Sequence, residues 1–295
     1  MLSIVIPHYN TPQLLRRCLQ SIPVRPDVQV IVVDDCSPDA DRYVTMVPEL
    51  QRPYLTYCST PRGGSAGRAR NVGLQQVRGE WVMFADADDY YAAGFADVVM
   101  AHLTADLDIL YYNVYGQDER ALLHQQIFDL YQTTGDETEV RYHIWAPWNK
   151  VFRTDFIRQH HLQFEEVPVG NDAMFCLRAS RLARHYNIIA DKLYCLTDNA
   201  GSITTRQMTF EREMAYTEVR TRITLFMTEL GLQYKYGYHL FSVPRARRIL
   251  ADNGVRACVR YVGYIACHYG ILRALIYNRK RRRYQAQHPQ FIYCD

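Results

Sequence analysis

The chain has 295 residues, 48% of them apolar and 22% charged, and a formal net charge of +3. That composition excludes a disordered or fibrous chain, and the length suits one large domain or a domain with a helical extension. The charge is too small to argue for a nucleic-acid partner, and no run approaches the roughly eighteen apolar residues of a membrane span. Met1 leads straight into an apolar run without a basic leader, so no signal peptide is expected. The eight cysteines show no CxxC or zinc spacing and lie mostly in apolar runs. Reduced core thiols of a cytoplasmic protein are expected.

Residues 2–6 and 28–33 are short, β-branched and apolar, the pattern of strands buried on both faces of a parallel sheet. Between them Thr11-Pro12 reads as an N-cap with proline at the first helical position. Leu14, Leu15, Cys18, Leu19 and Ile22 then share one helical face. A third strand is expected over 54–58, then a glycine-rich loop, "RGGSAG" at 62–67, and a helix over about 68–78. Strand 81–85, helix 92–103 and strand 108–113 continue the alternation, which predicts an open, mostly parallel α/β sheet. Beyond residue 115 the alternation weakens into three islands at 145–152, 169–183 and 193–204. From about 206 to 283 the chain reads as mainly helical, interrupted near Gly231, Pro244 and Gly254.

The fourth strand runs into "FADADDYY", which sets Asp86, Asp88 and Asp89 within four positions. Such carboxylates repel one another unless a cation joins them. In open α/β sheets ligands bind beyond the carboxyl ends of the strands, and both this cluster and Asp34-Asp35 stand at such ends. Asp-x-Asp offers hard oxygen ligands for Mg²⁺ or Mn²⁺ bridging a diphosphate. A solvated acidic turn ahead of the next helix would place the same residues there. An ionised Asp35 could accept the imide N–H of a pyrimidine base. Asp172 could take a proton from an attacking hydroxyl, or simply stand at a helix N-terminus. Trp145 and Trp148 offer flat faces for a sugar ring, with core packing the rival role for Trp145. His160-His161 lack a third ligand and read as surface residues.

The motifs "SIVIPHYN", "IVVDDCS", "GRARNVGL", "GEWVMFADADDYY", "WNKVF", "NDAMF" and "LY…SIT" occur in this order. Over roughly residues 1–205 the chain resembles the inverting family 2 glycosyltransferases of bacterial polysaccharide assembly. The resemblance implies the GT-A fold, a Rossmann-like, mostly parallel sheet flanked by helices, with a catalytic domain at 1–205 and a helical region at 206–295. Its nucleotide-sugar half would span about 1–115 and its acceptor half about 116–205. The resemblance implies Asp172 as catalytic base and Asp88 as ligand of Mn²⁺ or Mg²⁺. Pro7, Tyr9, Asn10, Asp35, Gly64, Arg70, Asp86 and Ala87 would bind the nucleotide-diphospho-sugar. Trp148 and Asn171 would lie on the acceptor side, where Asn171 stands in place of the family's usual glutamate. The implied acceptor is a glycan, often built on a polyprenyl diphosphate. A sugar-phosphate nucleotidyltransferase and a non-catalytic nucleotide-sugar binder are the alternatives. Against the first, the opening loop "PHYNTP" lacks a glycine-rich triphosphate cradle; against the second, a mere binder has no need of Asp172.

From Asn253 to Cys294 the chain holds eight Lys/Arg and no Asp or Glu, interleaved with apolar residues such as Val259, Ile271, Leu272, Leu275 and Ile276. That mixture suits contact with an anionic membrane surface better than with nucleic acid. It would make the protein peripheral to the inner face of the cell membrane. A plain solvated helix end is the third reading.

Overall fold

A computed structural model of the chain describes residues 1–38, 40–116, 119–197 and 209–293. The chain divides into two compact units, Met1–Thr204 and Thr205–Asp295. Part of the 193–204 island, residues 198–204, lies outside the described residues.

The first unit is built on an eight-stranded sheet. Its opening half runs β1 (Leu2–His8), α1 (Pro12–Gln20), β2 (Val28–Asp34), α2 (Ala40–Met46), β3 (Leu55–Ser59), α3 (Ala66–Gln75) and β4 (Trp81–Phe84). β1 and β2 are buried along their whole length, as their unbroken apolar runs require. Ile4, Val5 and Ile6 are fully buried, each contributing about 1.5–3 kcal/mol. Thr11 does not cap α1; its hydroxyl meets His8 Nδ1 at 3.2 Å, while Pro12 opens the helix as expected.

The second half runs β5 (Tyr90–Tyr91), α4 (Phe95–Ala101), β6 (Ile109–Tyr115), α5 (Glu119–Thr134), β7 (Lys150–Arg153), α6 (Thr154–Gln159), α7 (Ala173–Leu182) and β8 (Tyr186–Cys195). Tyr90–Tyr91, to which the sequence assigned no element, pairs antiparallel with Tyr194 and Cys195, and α4 starts three residues later than the expected residue 92. The strand order is β3-β2-β1-β4-β7-β6-β8-β5. The first four strands are parallel, as expected. β7 enters antiparallel between β4 and β6, which makes the sheet mixed beyond them. Because β1 is flanked by β2 on one side and β4 on the other, the order reverses between β1 and β4. A crevice opens at the carboxyl ends of such strands.

The second unit is helical: α8 (Phe210–Glu229), α9 (Gln233–Tyr236), α10 (Val243–His268) and α11 (Ile271–Gln287). The three expected interruptions fall where the chain turns. Gly231 takes a left-handed φ of 73° just after α8, Pro244 sits in the first turn of α10, and Gly254 (φ 81°, ψ 179°) kinks α10. Met214, Leu240, Ile249, Tyr261, Ile265 and Tyr277 form its core. Among the described residues no helix is long and apolar enough to cross a membrane. The seven described cysteines are free; Cys18, Cys176 and Cys195 are core residues as expected, whereas Cys36 and Cys267 are exposed.

Candidate active site

Three loops leave the carboxyl ends of β1, β2 and β4 and meet at the crevice. The first carries Pro7, which is buried, Tyr9, which is 51% exposed, and Asn10, held at a φ of 51°. Asn10 donates its N–H to Ser37 Oγ at 2.8 Å and accepts from the Tyr43 hydroxyl at 2.8 Å. The β2 loop is braced from within by Asp34, which accepts from the Ser37 amide at 2.8 Å. His8 beside it is buried, and burial pushes its imidazole down to about 4 against the attraction of Asp34.

Asp35 Oδ1 accepts from Thr60 Oγ1 at 3.0 Å and Oδ2 from the Gly64 amide at 3.1 Å. A carboxylate has about four acceptor positions, so Asp35 retains capacity for a base N–H while the loop holds it still. Gly64 thus acts first on Asp35.

Behind β4 the three aspartates offer oxygens within 4.8 Å of one another. They are not equivalent. Asp89 is 1% exposed and accepts from the Thr197 amide at 2.8 Å. Burial, then Asp88 and Asp86, push its carboxyl well above the usual range. Asp89 therefore belongs to the interior, and Asp86 and Asp88 are the partly exposed pair. Ala87 between them is a core residue that offers the site only its backbone. The Asp88 carbonyl accepts from Arg17 and from the Thr197 hydroxyl, which fixes the turn.

Asp86 is tied to the far side of the crevice through Arg70. This guanidinium, 4% exposed, donates to Asp86 Oδ1 at 2.6 Å and to Asn171 Oδ1 at 2.7 Å. Burial alone would weaken its charge, but Asp86 and Asp172 outweigh that and hold it protonated. Asp172 follows Asn171 at the start of α7 and is partly buried, and its side chain makes no capping hydrogen bond. Capping is therefore not its role. Burial raises its carboxyl to about 6, with Arg70 pulling down and Asp86 pushing up. The fold thus gathers Asp86, Arg70, Asn171 and Asp172 from two distant stretches of sequence.

The segment carrying Asn171 and Asp172 is fastened to α3. Asn71 donates to the Phe164 carbonyl and accepts from the Phe164 amide, both at 2.9 Å. Arg68 pairs with Glu166 at 2.7 Å. Phe164 stacks on Phe175 of α7 at 3.9 Å and lies under Arg70. Gly67, Arg70 and Asn71 are spaced i, i+3, i+4, which puts them on one helical face; that spacing in "GRARN" is the signal for Asn71, which sequence reasoning did not assign. Gly67, expected in the glycine-rich loop to let a ligand approach the backbone, here makes room for the Glu165 carbonyl. Nothing local in the sequence marks Arg17 or Thr197. A Cβ on Gly67 would stand 2.2 Å from the Glu165 carbonyl oxygen and 3.0 Å from Asn171 Cβ. Gly67→Ala should therefore cost about 1–3 kcal/mol and lower the thermal unfolding midpoint; an unchanged midpoint would mean that this segment is not held where α3 places it.

The "WNK" island packs inward. Trp148, expected on the acceptor side, is 6% exposed, stacked on Tyr194 at 5.6 Å with His124 against its edge. Its faces are taken by core neighbours, and Trp145 is the more open of the two tryptophans. Lys150 is fully buried and donates to the Ile144 and Ala146 carbonyls and to Asn149 Oδ1 at 2.7–2.8 Å. Burial pushes its amine down to about 8. Of the surface pair, His161 is exposed and His160 partly buried.

The sequence model of glycosyl transferase family 2 matches residues 3–170. The uncharacterized glycosyltransferase EpsJ of Bacillus subtilis is 26% identical over 217 residues, 69% of this chain and 63% of that protein. The poly(ribitol-phosphate) β-N-acetylglucosaminyltransferase TarS of Staphylococcus aureus is 28% identical over 209 residues, 65% of this chain and 34% of that protein. The chain thus matches less than two thirds of the length of either relative. A crystal structure of S. aureus TarS 1–349 in complex with UDP-GlcNAc has a TM-score of 0.64 at 23% identity, covering 77% of this chain and 66% of that one. It shares the GT-A fold.

Proposed function

The chain belongs to glycosyl transferase family 2, and from that premise we propose that it moves a sugar from a nucleotide-diphospho-sugar to a hydroxyl of a glycan acceptor in surface-polysaccharide assembly, with inversion at the anomeric carbon. The observation that carries this reading is the guanidinium of Arg70 spanning Asp86 and Asn171, which sets Asp172 across from the acidic pair. The TarS structure holds UDP-GlcNAc, which makes a UDP-sugar the first donor to test.

In this reading Tyr9, Asn10 and Asp35 receive the base, Asp35 accepting its imide N–H. Asp86 and Arg70 face the sugar and diphosphate. Asp88 holds Mn²⁺ or Mg²⁺; its hard oxygen beside those of Asp86 fits such an ion. When bound, the ion would stabilise the charge that develops on the leaving diphosphate. Asp172 takes the proton of the acceptor hydroxyl as that oxygen bonds to the anomeric carbon and the bond from carbon to the diphosphate oxygen breaks. Asn171 orients the acceptor, and its neutral amide leaves Arg70 to answer two carboxylates, Asp86 and Asp172. A polyprenyl-diphosphate carrier is the acceptor class that polysaccharide assembly calls for.

Purified protein should release nucleotide from one member of a panel of UDP-, dTDP- and GDP-sugars, a UDP-sugar foremost. Release from none, with and without Mn²⁺, would contradict an active transferase.

A further inference from the structure

Helix α11 concentrates five successive cations at residues 279–283. The ion pairs of the unit join Glu211 and Glu213 to Arg245, Arg248 and Arg260. Among the described residues no carboxylate pairs with Arg279, Arg282 or Arg283. These three arginines line one cavity of about 500 Å³, whose apolar wall is formed by Phe241, Val243 and Leu275. Buried Asn278 beneath it donates to the Phe241 carbonyl at 2.6 Å and accepts from the Leu240 amide at 3.2 Å, which pins the strand of chain before α10 against α11.

The same face continues toward the start of α11. Leu272, Leu275, Arg279, Arg282 and Ala286 recur every three to four residues and so stand in one row. Leu272 is 70% exposed, and Leu275 and Ile276 are 43% and 47% exposed. The row is therefore apolar at one end and cationic at the other. Water suits the cationic end and penalises the apolar one. A surface that offers phosphates beside hydrocarbon satisfies both.

We propose that this face seats on an anionic phospholipid surface, Arg279, Arg282 and Arg283 taking headgroup phosphates and Leu272, Leu275 and Ile276 entering the acyl boundary. Guanidinium groups match phosphate oxygens in paired hydrogen bonds. A second copy of the chain meeting this face across a two-fold axis would bring the arginines against themselves. A nucleic-acid strand would use the arginines and leave the three aliphatic side chains in water. The residues involved lie outside the unit that carries Asp88 and Asp172, so this inference stands or falls apart from the donor assignment.

The test is co-sedimentation of the full chain with vesicles of phosphatidylcholine alone or mixed with phosphatidylglycerol. The protein should bind only the mixed vesicles, and less as salt rises. Arg279→Gln, Arg282→Gln and Arg283→Gln combined should lower partitioning ~10²-fold, at about fivefold per cation. Leu272→Asn with Ile276→Asn should lower it as well, with the unfolding midpoint held at the native value in both variants. Equal binding to phosphatidylcholine alone, native partitioning of either variant, or displacement from vesicles by single-stranded RNA would each overturn the proposal.

Discussion

Asp172→Asn should bind the nucleotide-sugar as the native protein does and transfer sugar ~10²–10⁴ times more slowly, the span for losing a general base. The asparagine keeps the shape and any hydrogen bond at the start of α7, and loses only the ability to take the acceptor proton. Burial holds the Asp172 carboxyl at about 6, so the native rate should climb as pH rises through that value and level off above it. The variant should lose this limb. The same shift predicts an opposite effect on stability. Since the folded protein binds this proton more tightly than the unfolded chain, the stabilising contribution is complete below about 4 and disappears as pH rises through about 6. At pH 8 the ionised carboxylate is a burden on the fold, and Asp172→Asn should relieve on the order of 1–2 kcal/mol, allowing for its partial exposure. Thermal melts in chelator at pH 5 and pH 8 check this: the variant's advantage should grow with pH. Near-native turnover would assign the base to another residue.

The second large effect falls on the acidic pair. Asp88→Ala should lose metal-dependent binding of UDP by at least ~10²-fold, since in the proposed site it would remove a charged oxygen ligand from a hard cation. Asp89→Asn is the matched control. Asp89 faces the interior and accepts the Thr197 amide, an acceptor role that asparagine can keep, so this variant should bind UDP with Mn²⁺ within several-fold of native. Calorimetric titration of UDP with and without Mn²⁺ reads both. Tight Mn²⁺-dependent binding by Asp88→Ala, or its loss in Asp89→Asn, would exchange the roles of the two residues.

The parallel half of the sheet was legible because strands buried on both faces write unbroken apolar runs, and 2–6, 28–33 and 81–85 are such runs. Their carboxyl ends then marked the crevice without reference to anything distant. β5 and β7 were not legible, because β5 is only two residues long and β7 sets charged Lys150 and Arg153 around just two apolar residues. Their strand character comes from partners, Tyr194–Cys195 for β5 and β4 with β6 for β7, far away in sequence. The acidic cluster shows a finer limit. Composition puts three repelling carboxylates together, and only the fold reveals that Asp89 turns inward, where a raised proton affinity eases the repulsion.

The clasp that holds Asp172 was partly written in "GRARN", yet its counterpart lies at Phe164 and Glu165, beyond the reach of any local pattern. Trp148 shows the converse. Two tryptophans flanking a proline look alike in sequence, and burial against Tyr194 and His124 decides which one is core. Lys150, to which the sequence assigned no role of its own, is a buried post whose three acceptors fix the loop ahead of β7.

In the proposed function Asp88 and Asp86, faced by Arg70 and Asp172, form the diphosphate end of a sugar-donor site. Anomalous diffraction from crystals soaked with Mn²⁺ and UDP is the decisive experiment. The expected result is a manganese peak within coordination distance of Asp88, with the diphosphate beside it and the uracil at Asp35. A pocket left empty while manganese and UDP bind at other positions would contradict the claim.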